Sequence, residues 1–295
     1  MTDTNKLSFN MGNAKLNKSI ATFSLPAGHS CPFAKECLSK SDLLTGKIID
    51  GAHCRFRCFA ATTEARATNV RKQRWHNFNI IRNAKQEKRI GEIIQSSLLP
   101  GVDKYRVHVS GDFFNEYYYV AWLNVALNNP LVTFYGYTKA LPFWVKYLKD
   151  VPPNFRFTAS KGGTHDHLIA KHGLRSAEVV FSLDEAEQKG LEIDHDDSHA
   201  IGVDQRDFAL LLHATQPVGS AAGLAWSKLQ RDGIGGYGGK SDFRKDTTVK
   251  PLVVYVSVKS SKVKLNYPVM TTKKVDGMRV LDLAAYLMRG KGIYV

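Results

Sequence analysis

Four cysteines carry the clearest chemical signal in this sequence, because all of them lie close together. Cys31, Cys37, Cys54 and Cys58 are spaced C-x5-C, then a gap of sixteen residues, then C-x3-C. Thiolates are soft ligands that suit iron–sulfur clusters, zinc and copper(I). Buried cysteines that act only as small apolar side chains would not be confined to one loop. We therefore predict that the four cysteines bind a 4Fe–4S cluster, with zinc as the alternative metal.

A second set of polar residues follows the predicted strands at the points where they end. Glycine in such a segment lets the backbone approach a ligand closely, and the charges of Asp112 and Lys161 suit an amine, a hydroxyl or a carboxylate. We predict that these strand ends line the binding site of a cofactor or substrate. The predicted residues are Ser110, Gly111, Asp112, Lys139, Ser160 and Lys161.

The elements that must position these residues alternate between strand and helix. Strands in a β-α-β order pair in parallel, which predicts an α/β fold with a full or partial (β/α) barrel over residues 1–246. The cysteine loop follows the first strand, so it should lie at the mouth where such barrels keep their active sites. The helix after this loop is predicted to run without a break from about residue 62 to 97. The predicted strands are residues 20–25, 105–109, 131–135, 155–159, 179–183 and 208–213.

Residues 247–295 have a different pattern, which we interpret as a basic extension packed on the barrel. Two segments, 253–258 and 263–267, are typical of β-strands, and residues 280–288 have helical spacing. The composition around residues 259–274 is rich in lysine. The sequence therefore predicts a β-rich, basic C-terminal extension and no independent domain.

The charge balance favours a polyanionic partner. The chain has 41 Lys and Arg against 27 Asp and Glu, a net charge of +14. One concentration of positive charge, the basic segment, begins at Arg66 and ends at Arg89. Phosphate neutralisation with counterion release would bind such a segment to DNA or RNA; the alternative is a solvated helix face. The N-terminus has no signal-peptide pattern and the apolar runs are short, so we expect a cytoplasmic protein with no membrane partner.

Two other polar patterns carry less information. His195, Asp196, Asp197 and His199 have metal-ligating side chains, but the strong hydrophilicity of this stretch predicts a solvated loop. The glycine-rich segment 233–240 (GIGGYGGK) lacks the G-x4-G-K-[ST] order of a phosphate loop. We assign no chemistry to either pattern.

Parts of the sequence resemble the radical S-adenosylmethionine enzymes. Residues 58–60 (CFA) are similar to the Cys-Tyr-Ala ending of their cluster loops, and residues 109–113 (VSGDF) to the Gly-Gly-Glu-Pro segment that meets the amino group of S-adenosylmethionine. Those enzymes use C-x3-C-x2-C, whereas this chain has alanine at position 61. If Cys31, Cys37 and Cys58 replace that motif, Cys54 is a fourth ligand or a bystander. Three thiolates would leave one iron open to S-adenosylmethionine, and four would not.

A closer resemblance is to the phage gene product 88 family. It rests on residues 22–32 (TFSLPAGHSCP), 212–220 (LHATQPVGS) and 233–238 (GIGGYG). This resemblance implies a phage protein that works in the cytoplasm of an infected host cell. The leading hypothesis is an iron–sulfur protein with a radical S-adenosylmethionine-like barrel that modifies a nucleic acid or nucleotide. The alternative is a non-enzymatic nucleic-acid-binding protein whose loop is stapled by zinc or a cluster.

Overall fold

The fold is described here from a computed structural model. It describes residues 6–13, 15–234, 252–260 and 263–271. The chain divides into two compact units, Met1–Ser241 and Asp242–Val295. The packing of the C-terminal extension on the rest of the chain stays a prediction.

The strands of the described residues form one large sheet and two hairpins. Six of the parallel strands agree with the segments predicted from the sequence to within a few residues. The strands are β1 (Asn10–Met11), β2 (Ala21–Ser24), β3 (Ser39–Ser41), β4 (Ile48–Asp50), β5 (Lys104–Ser110), β6 (Thr133–Thr138), β7 (Phe155–Ser160), β8 (Ser176–Val180), β9 (Glu192–Ile193), β10 (Phe208–Leu211), β11 (Leu252–Ser260) and β12 (Val263–Thr271).

The helices of the described residues connect these strands. Most of them follow a strand directly, as expected for crossover connections. The helices are α1 (Phe59–Arg66), α2 (Thr68–Ala84), α3 (Glu87–Ser97), α4 (Glu116–Asn128), α5 (Leu141–Lys146), α6 (His167–His172), α7 (Leu183–Gln188), α8 (Ser198–Ile201) and α9 (Ala221–Arg231).

The large sheet has eight strands in the order β1-β2-β5-β6-β7-β8-β10-β9. Only β1 is antiparallel to its neighbour, and the other pairs are parallel. The prediction of a mostly parallel α/β fold is therefore confirmed. The prediction of a full barrel is not, because among the described strands β1 and β9 lie at opposite edges and the sheet stays open.

One face of the sheet packs against helices through an aromatic core. Tyr105 on β5 stacks on Phe134 on β6, with ring centroids 5.4 Å apart. Trp122 of α4 contacts both Phe134 and Phe23 of β2, at 6.0 and 5.6 Å. All four side chains are buried, and burial of each contributes about 1.5–3 kcal/mol to stability. This core fixes the positions of β2, β5 and β6, whose ends hold the predicted site.

The opposite face of the sheet carries a buried polar cluster, where the sequence predicted a solvated loop. Asp197 is fully buried and binds Lys15 and Arg106, each at 2.6 Å. The hydroxyls of Tyr135 and Tyr137 also donate to its carboxylate. The prediction of a solvated loop was wrong for Asp197, because tertiary contacts supply the partners that water would otherwise provide.

The predicted long helix is in fact three helices. Ala67 has extended backbone angles and separates α1 from α2, and Lys85 has a left-handed φ of +56° at the end of α2. The three segments turn against one another, so that α1 lies beside α2 and α2 beside α3. Helical periodicity in the sequence does not reveal single residues at which a helix breaks.

The C-terminal unit contains an antiparallel hairpin. Strand β11 pairs with β12 from Leu252↔Thr271 to Ser260↔Val263. The two strands include both segments that the sequence predicted. The predicted helix at residues 280–288 lies outside the described residues, as do Lys262 and Lys273. In the described part of the chain, no helix is long and apolar enough to cross a membrane.

Candidate metal centre

The first half of the cysteine loop is attached to the end of β7. The amides of Lys35 and Glu36 donate to the carbonyl of Gly162 at 3.1 and 2.9 Å. Ala34 forms an antiparallel bridge with Gly163. The loop therefore continues the hydrogen bonding of the sheet beyond its carboxyl-terminal edge, instead of standing free above it.

The second half of the loop reaches β8 and β10. The Arg55 guanidinium donates to the carbonyl of Val179 at 2.6 Å. The side-chain amide of Gln216 exchanges two hydrogen bonds with the backbone of Arg57, at 2.7 and 3.2 Å. The loop thus covers the carboxyl-terminal edge of the sheet, where the sequence predicted it to lie. The sequence analysis did not identify Gln216. Nothing in the sequence shows that its side-chain amide binds the backbone of Arg57 in the way that a neighbouring strand would.

Cys31 lies at the start of this loop, beside the end of β5. Its sulfur accepts a hydrogen bond from the amide of Gly28 at 3.3 Å. Burial raises the pKa of the Cys31 thiol well above its ordinary value, and the charges of Asp112, Cys58 and Cys37 raise it further. The Cys31 thiol is therefore close to two other thiols and to one predicted ligand-binding carboxylate.

Cys58 lies at the N-cap of α1, where the helix begins. The backbone amides of Ala61 and Ala60 at this helix start favour the thiolate and lower the pKa of the Cys58 thiol. Burial is the larger effect and, with the charge of Cys37, raises the pKa of the Cys58 thiol to about 12. Each pair among Cys31, Cys37 and Cys58 thus interacts electrostatically.

Cys54 has a different environment from the other three cysteines. Its thiol donates a hydrogen bond to the carbonyl of Leu38 at 2.9 Å and lies 3.7 Å from the hydroxyl of Ser39. Burial raises the pKa of this thiol, and the charges of Asp50 and Cys37 add to that effect. Cys54 therefore shares the influence of Cys37 with Cys31 and Cys58, but it differs from them in that its thiol donates its proton to a backbone carbonyl.

The donor set fits a soft metal, although the side chains do not form a finished site. Within the described ranges, no three His, Cys, Asp or Glu side chains are grouped to hold a metal ion. Half-buried thiols that raise one another's pKa values cannot all ionise without a neighbouring cation. A thiophilic metal would supply that cation, and metal sites of this kind commonly close only when the metal binds.

Asp112 is buried at the end of β5, next to the thiol group. Its carboxylate accepts hydrogen bonds from the Thr138 hydroxyl at 2.6 Å and from the Lys139 amide at 2.8 Å. Burial raises the pKa of Asp112, and these bonds oppose the shift. The adjacent Gly111 has a φ of +83°, and a Cβ there would lie 2.5 Å from the Ser30 hydroxyl oxygen. This glycine lets the cysteine loop approach the strand end closely.

The other predicted strand-end residues bind one another. The Lys139 ammonium donates to the carbonyl and hydroxyl of Ser160 and to the carbonyl of Lys161, at 2.6–2.9 Å. The Lys161 ammonium lies 3.4 Å from the Glu178 carboxylate. Three donors of Lys139 are thus directed at the end of β7, where they join two neighbouring strands.

Glu64 of α1 is a buried residue of this region that the sequence did not identify. Its Oε1 accepts from the Ala27 amide at 2.8 Å, from Arg74 Nη1 at 2.7 Å and from the Ser110 hydroxyl at 3.2 Å. Its Oε2 is buried without a hydrogen-bond partner among the described residues. A glutamate in a polar helix is normally exposed, so only the three-dimensional contacts reveal its position.

Comparison with protein families gives a match over most of the chain. A family model described as Gene product 88 matches residues 2–228. The chain belongs to the gene product 88 family. The match includes the cysteine loop and all the strand ends described above. Neither the curated proteins nor the solved structures give a match.

In this gene product 88 protein, the basic segment has two faces. Arg71 and Arg74 are buried, and their guanidinium groups bind the carbonyl of Leu43 and the carboxylate of Glu64. Arg71 thus binds the cysteine loop directly, and Arg74 binds it through Glu64. The prediction that the whole basic segment forms a phosphate-binding or solvated face was wrong for these two residues. The exposed basic residues of the segment are Arg66, Lys72, Arg82, Lys85, Lys88 and Arg89.

Proposed function

We propose that this gene product 88 protein is an iron–sulfur protein, with Cys31, Cys37 and Cys58 as cluster ligands and Cys54 outside the ligand set. The observation that carries this proposal is that the three thiols share one folded loop, where the charges of Cys58 and Cys37 raise the pKa of Cys31 and the charge of Cys37 raises that of Cys58. Cys54 instead donates its proton to a carbonyl. Thiolates in such numbers are the usual ligands of iron–sulfur clusters.

The surroundings of the thiols support a cluster. The amides at the start of α1 favour the Cys58 thiolate, and the Gly28 amide donates a hydrogen bond to the Cys31 sulfur. Hydrogen bonds to the sulfurs and limited solvent exposure are the means by which a protein stabilises and tunes a cluster. The loop that carries the cysteines is also fixed at several points to the rigid sheet. A bound cluster would therefore be held in a defined position.

The proposal extends to a cluster with one iron that lacks a protein ligand. A 4Fe–4S cluster on three cysteines leaves its fourth iron open to a small molecule, and we propose S-adenosylmethionine as that molecule. We propose Asp112 as the partner of its amino group, because the neighbouring Gly111 packs closely against Ser30, the residue before Cys31. The cluster would supply electrons, and the protein would position the bound molecule.

Metal analysis of protein purified without oxygen tests this proposal. We expect a brown protein with broad absorption near roughly 400 nm and with about four iron and four sulfide per chain. A colourless protein with stoichiometric zinc would contradict an iron–sulfur function. The zinc would then have a structural role and hold the cysteine loop together.

A second candidate function is nucleic-acid binding without catalysis. It is favoured by the exposed basic side chains of α2 and α3, which include Lys72, Arg82 and Lys88. Binding through phosphate contacts would weaken steeply with salt concentration. If metal-free and metal-loaded protein bind nucleic acid equally and neither binds S-adenosylmethionine, this second function is favoured.

A further inference from the structure

One stripe on α2 has a basic residue at each end and two aromatic residues between them. Lys72, Trp75, Phe78 and Arg82 are three, three and four residues apart, so they lie along the same side of the helix. Lys72 and Arg82 are exposed, and the two aromatic side chains are half-buried. The Arg82 guanidinium lies over the Phe78 ring, 5.4 Å from its centroid. The stripe therefore places two partly accessible rings between two positive charges.

Two neighbouring segments extend this stripe into an aromatic row of four half-buried rings, His29, Trp75, Phe78 and Phe114. The Phe114 ring meets the Phe78 ring edge to face at 4.9 Å, and the His29 ring is 4.9 Å from that of Trp75. Phe114 follows the end of β5, and His29 follows the end of β2, two residues before Cys31. The aromatic row therefore lies beside the edge of the sheet that the cysteine loop covers.

The charges around the aromatic row favour a polyanionic ligand. Residues 66–86 include six Lys and Arg but not one Asp or Glu. Lys72, Arg82 and Lys85 are exposed, and none of them forms a salt bridge with a carboxylate among the described residues. Such side chains can bind phosphates, which attract single strands and duplexes alike. Aromatic rings add a preference for single strands, because unpaired bases can stack on them.

Packing of the protein core explains only part of the aromatic row. Phe78 and Phe114 pack against the buried core, so their inner sides stabilise the fold. The same side chains nevertheless stay partly exposed. The indole nitrogen of Trp75 is buried and has no hydrogen-bond partner among the described residues. A buried indole N–H normally has a partner, so fold stability alone does not account for a tryptophan at this position.

We propose that the aromatic row binds unpaired bases of a single-stranded nucleic acid, while Lys72 and Arg82 bind the phosphates on either side. This inference rests on the proposed nucleic-acid-binding function and names the class of nucleic acid that it takes. Stacking on aromatic side chains tolerates every base, so binding should depend only weakly on base sequence. A duplex keeps its bases stacked on one another and would make only the phosphate contacts.

The affinities of the full-length protein for single strands and for a duplex test this inference. Fluorescence anisotropy measures binding of labelled oligothymidylate, oligouridylate and a duplex, each of about twelve nucleotides per strand. Wild-type protein should bind at least one single strand more tightly than the duplex, and the two single strands distinguish DNA from RNA. Phe78→Leu keeps apolar packing but removes the ring, so it should weaken single-strand binding by about fivefold or more. Duplex binding and its salt dependence should stay unchanged, because the phosphate contacts remain.

Phe181→Leu is the matched control for Phe78→Leu. Phe181 is also half-buried beneath an arginine, with Arg55 4.9 Å from its ring centroid, but it follows β8 and lies outside the aromatic row. This variant should bind oligonucleotides as the wild type does. Trp75→Phe keeps a ring and should bind nearly as tightly, but the oligonucleotide should quench less of its tryptophan fluorescence.

The outcomes separate this inference from the function on which it rests. If wild-type protein binds nucleic acid without preferring single strands, or if Phe78→Leu and Phe181→Leu have equal effects, the aromatic row is not the binding surface and only this inference is overturned. If Phe78→Leu does not fold, Trp75→Phe decides, because unchanged quenching in that variant also overturns it. No binding of any oligonucleotide at low salt would overturn the nucleic-acid-binding function and this inference together.

Discussion

Three of the four cysteines interact with one another, and this arrangement separates their expected roles. Cys31, Cys37 and Cys58 act on one another electrostatically, while Cys54, on which Cys37 also acts, donates its proton to the carbonyl of Leu38. A closed metal site uses every position for protein ligands, whereas a reactive cluster keeps one iron accessible. Whether Cys54 is a fourth ligand therefore decides whether a bound cluster would be structural or catalytic.

The first prediction compares two cysteine variants. Cys54→Ala should retain the iron–sulfur cluster, and Cys58→Ala should lose it, because the Cys54 thiol donates its proton to the Leu38 carbonyl, whereas Cys58 interacts with both Cys31 and Cys37. The retained cluster should change its absorption spectrum when S-adenosylmethionine is added. Iron content and spectra of both variants are the measurements.

The control for this comparison is His53, which is exposed next to Cys54. Its imidazole is a metal ligand in many proteins and could replace a lost thiolate. His53→Ala and the His53→Ala/Cys54→Ala double variant should both retain iron. Equal loss of iron from Cys54→Ala and Cys58→Ala would show that four thiolates bind, and the open-iron proposal would fail.

The second prediction concerns the close approach of the cysteine loop to β5. Gly111→Ala places a methyl group 2.5 Å from the Ser30 hydroxyl and 2.6 Å from Leu25 Cβ, at a φ of +83°. This change should lower the free energy of unfolding by about 3 kcal/mol or more through overpacking and backbone strain. Gly101→Ala is a matched control, since its φ is +74° and no atom lies within 4 Å. It should cost about 1 kcal/mol. Equal losses in denaturant titrations would disprove the close packing.

At the scale of elements, α2 has basic side chains on both a buried and an exposed face. Its buried face supplies Arg71 and Arg74 to the cysteine loop and to α1. Its exposed face carries Lys72 and Arg82. An arginine can either stabilise the fold from a buried position or contact phosphates from the surface. The number of basic residues in the segment therefore does not by itself indicate a nucleic-acid interface.

The third prediction separates these two faces. Arg74→Ala should destabilise the fold by about 3–5 kcal/mol, because it leaves the buried Glu64 carboxylate without its ion-pair partner. The Lys72→Glu/Arg82→Glu variant should leave stability nearly unchanged. If the exposed face contacts phosphates, this variant should also reduce the salt dependence of DNA or RNA binding, by about one unit of log–log slope for each lost contact.

A pair of exposed lysines outside the basic segment controls for net charge. Lys149→Glu/Lys171→Glu changes the total charge by the same amount as the test variant. It should leave the salt dependence of binding unchanged. An equal effect of both variants would mean that the overall charge, and not the exposed face of α2, attracts nucleic acid.

At the scale of the whole molecule, the buried His108 and the half-buried His213 couple the fold to pH. Burial lowers the pKa of His108 to about 3 and that of His213 to about 4. An unfolded histidine has a pKa of about 6.5. Between these values the unfolded chain binds more protons than the folded one, so the free energy of unfolding falls as the pH falls. The stability that these neutral histidines provide is complete above about pH 6.5 and is lost on acidification.

The fourth prediction follows from His108. One pKa unit corresponds to about 1.4 kcal/mol. Because His108 takes up its proton between pH 6.5 and 3 only in the unfolded chain, the free energy of unfolding should fall by on the order of 4 kcal/mol over this range. His108→Asn removes the titrating group, and asparagine tolerates the left-handed φ of +67° at this position. The slope of unfolding free energy against pH should therefore decrease. His76→Asn, on an exposed histidine, is the control, and an unchanged slope in His108→Asn would contradict the prediction.

The sequence by itself determined the fold class and most strands, because these depend on local patterns. Alternating apolar residues and helical spacing identified β2, β5, β6, β7, β8 and β10, with boundaries correct to within a few residues. The order of strand and helix identified the parallel pairing. The position of the cysteine loop at the carboxyl-terminal edge followed from the same order. Family membership was also visible in three short segments.

Only the tertiary structure decided which polar side chains face inward. Glu64 and Asp197 resemble surface residues in the sequence, yet each is buried because partners from distant segments satisfy its carboxylate. The roles of Arg74, Lys139 and Gly111 likewise depend on contacts across the fold. A local pattern records the chemistry of a side chain but not its partners, and the partners determine whether a charge is solvated or buried.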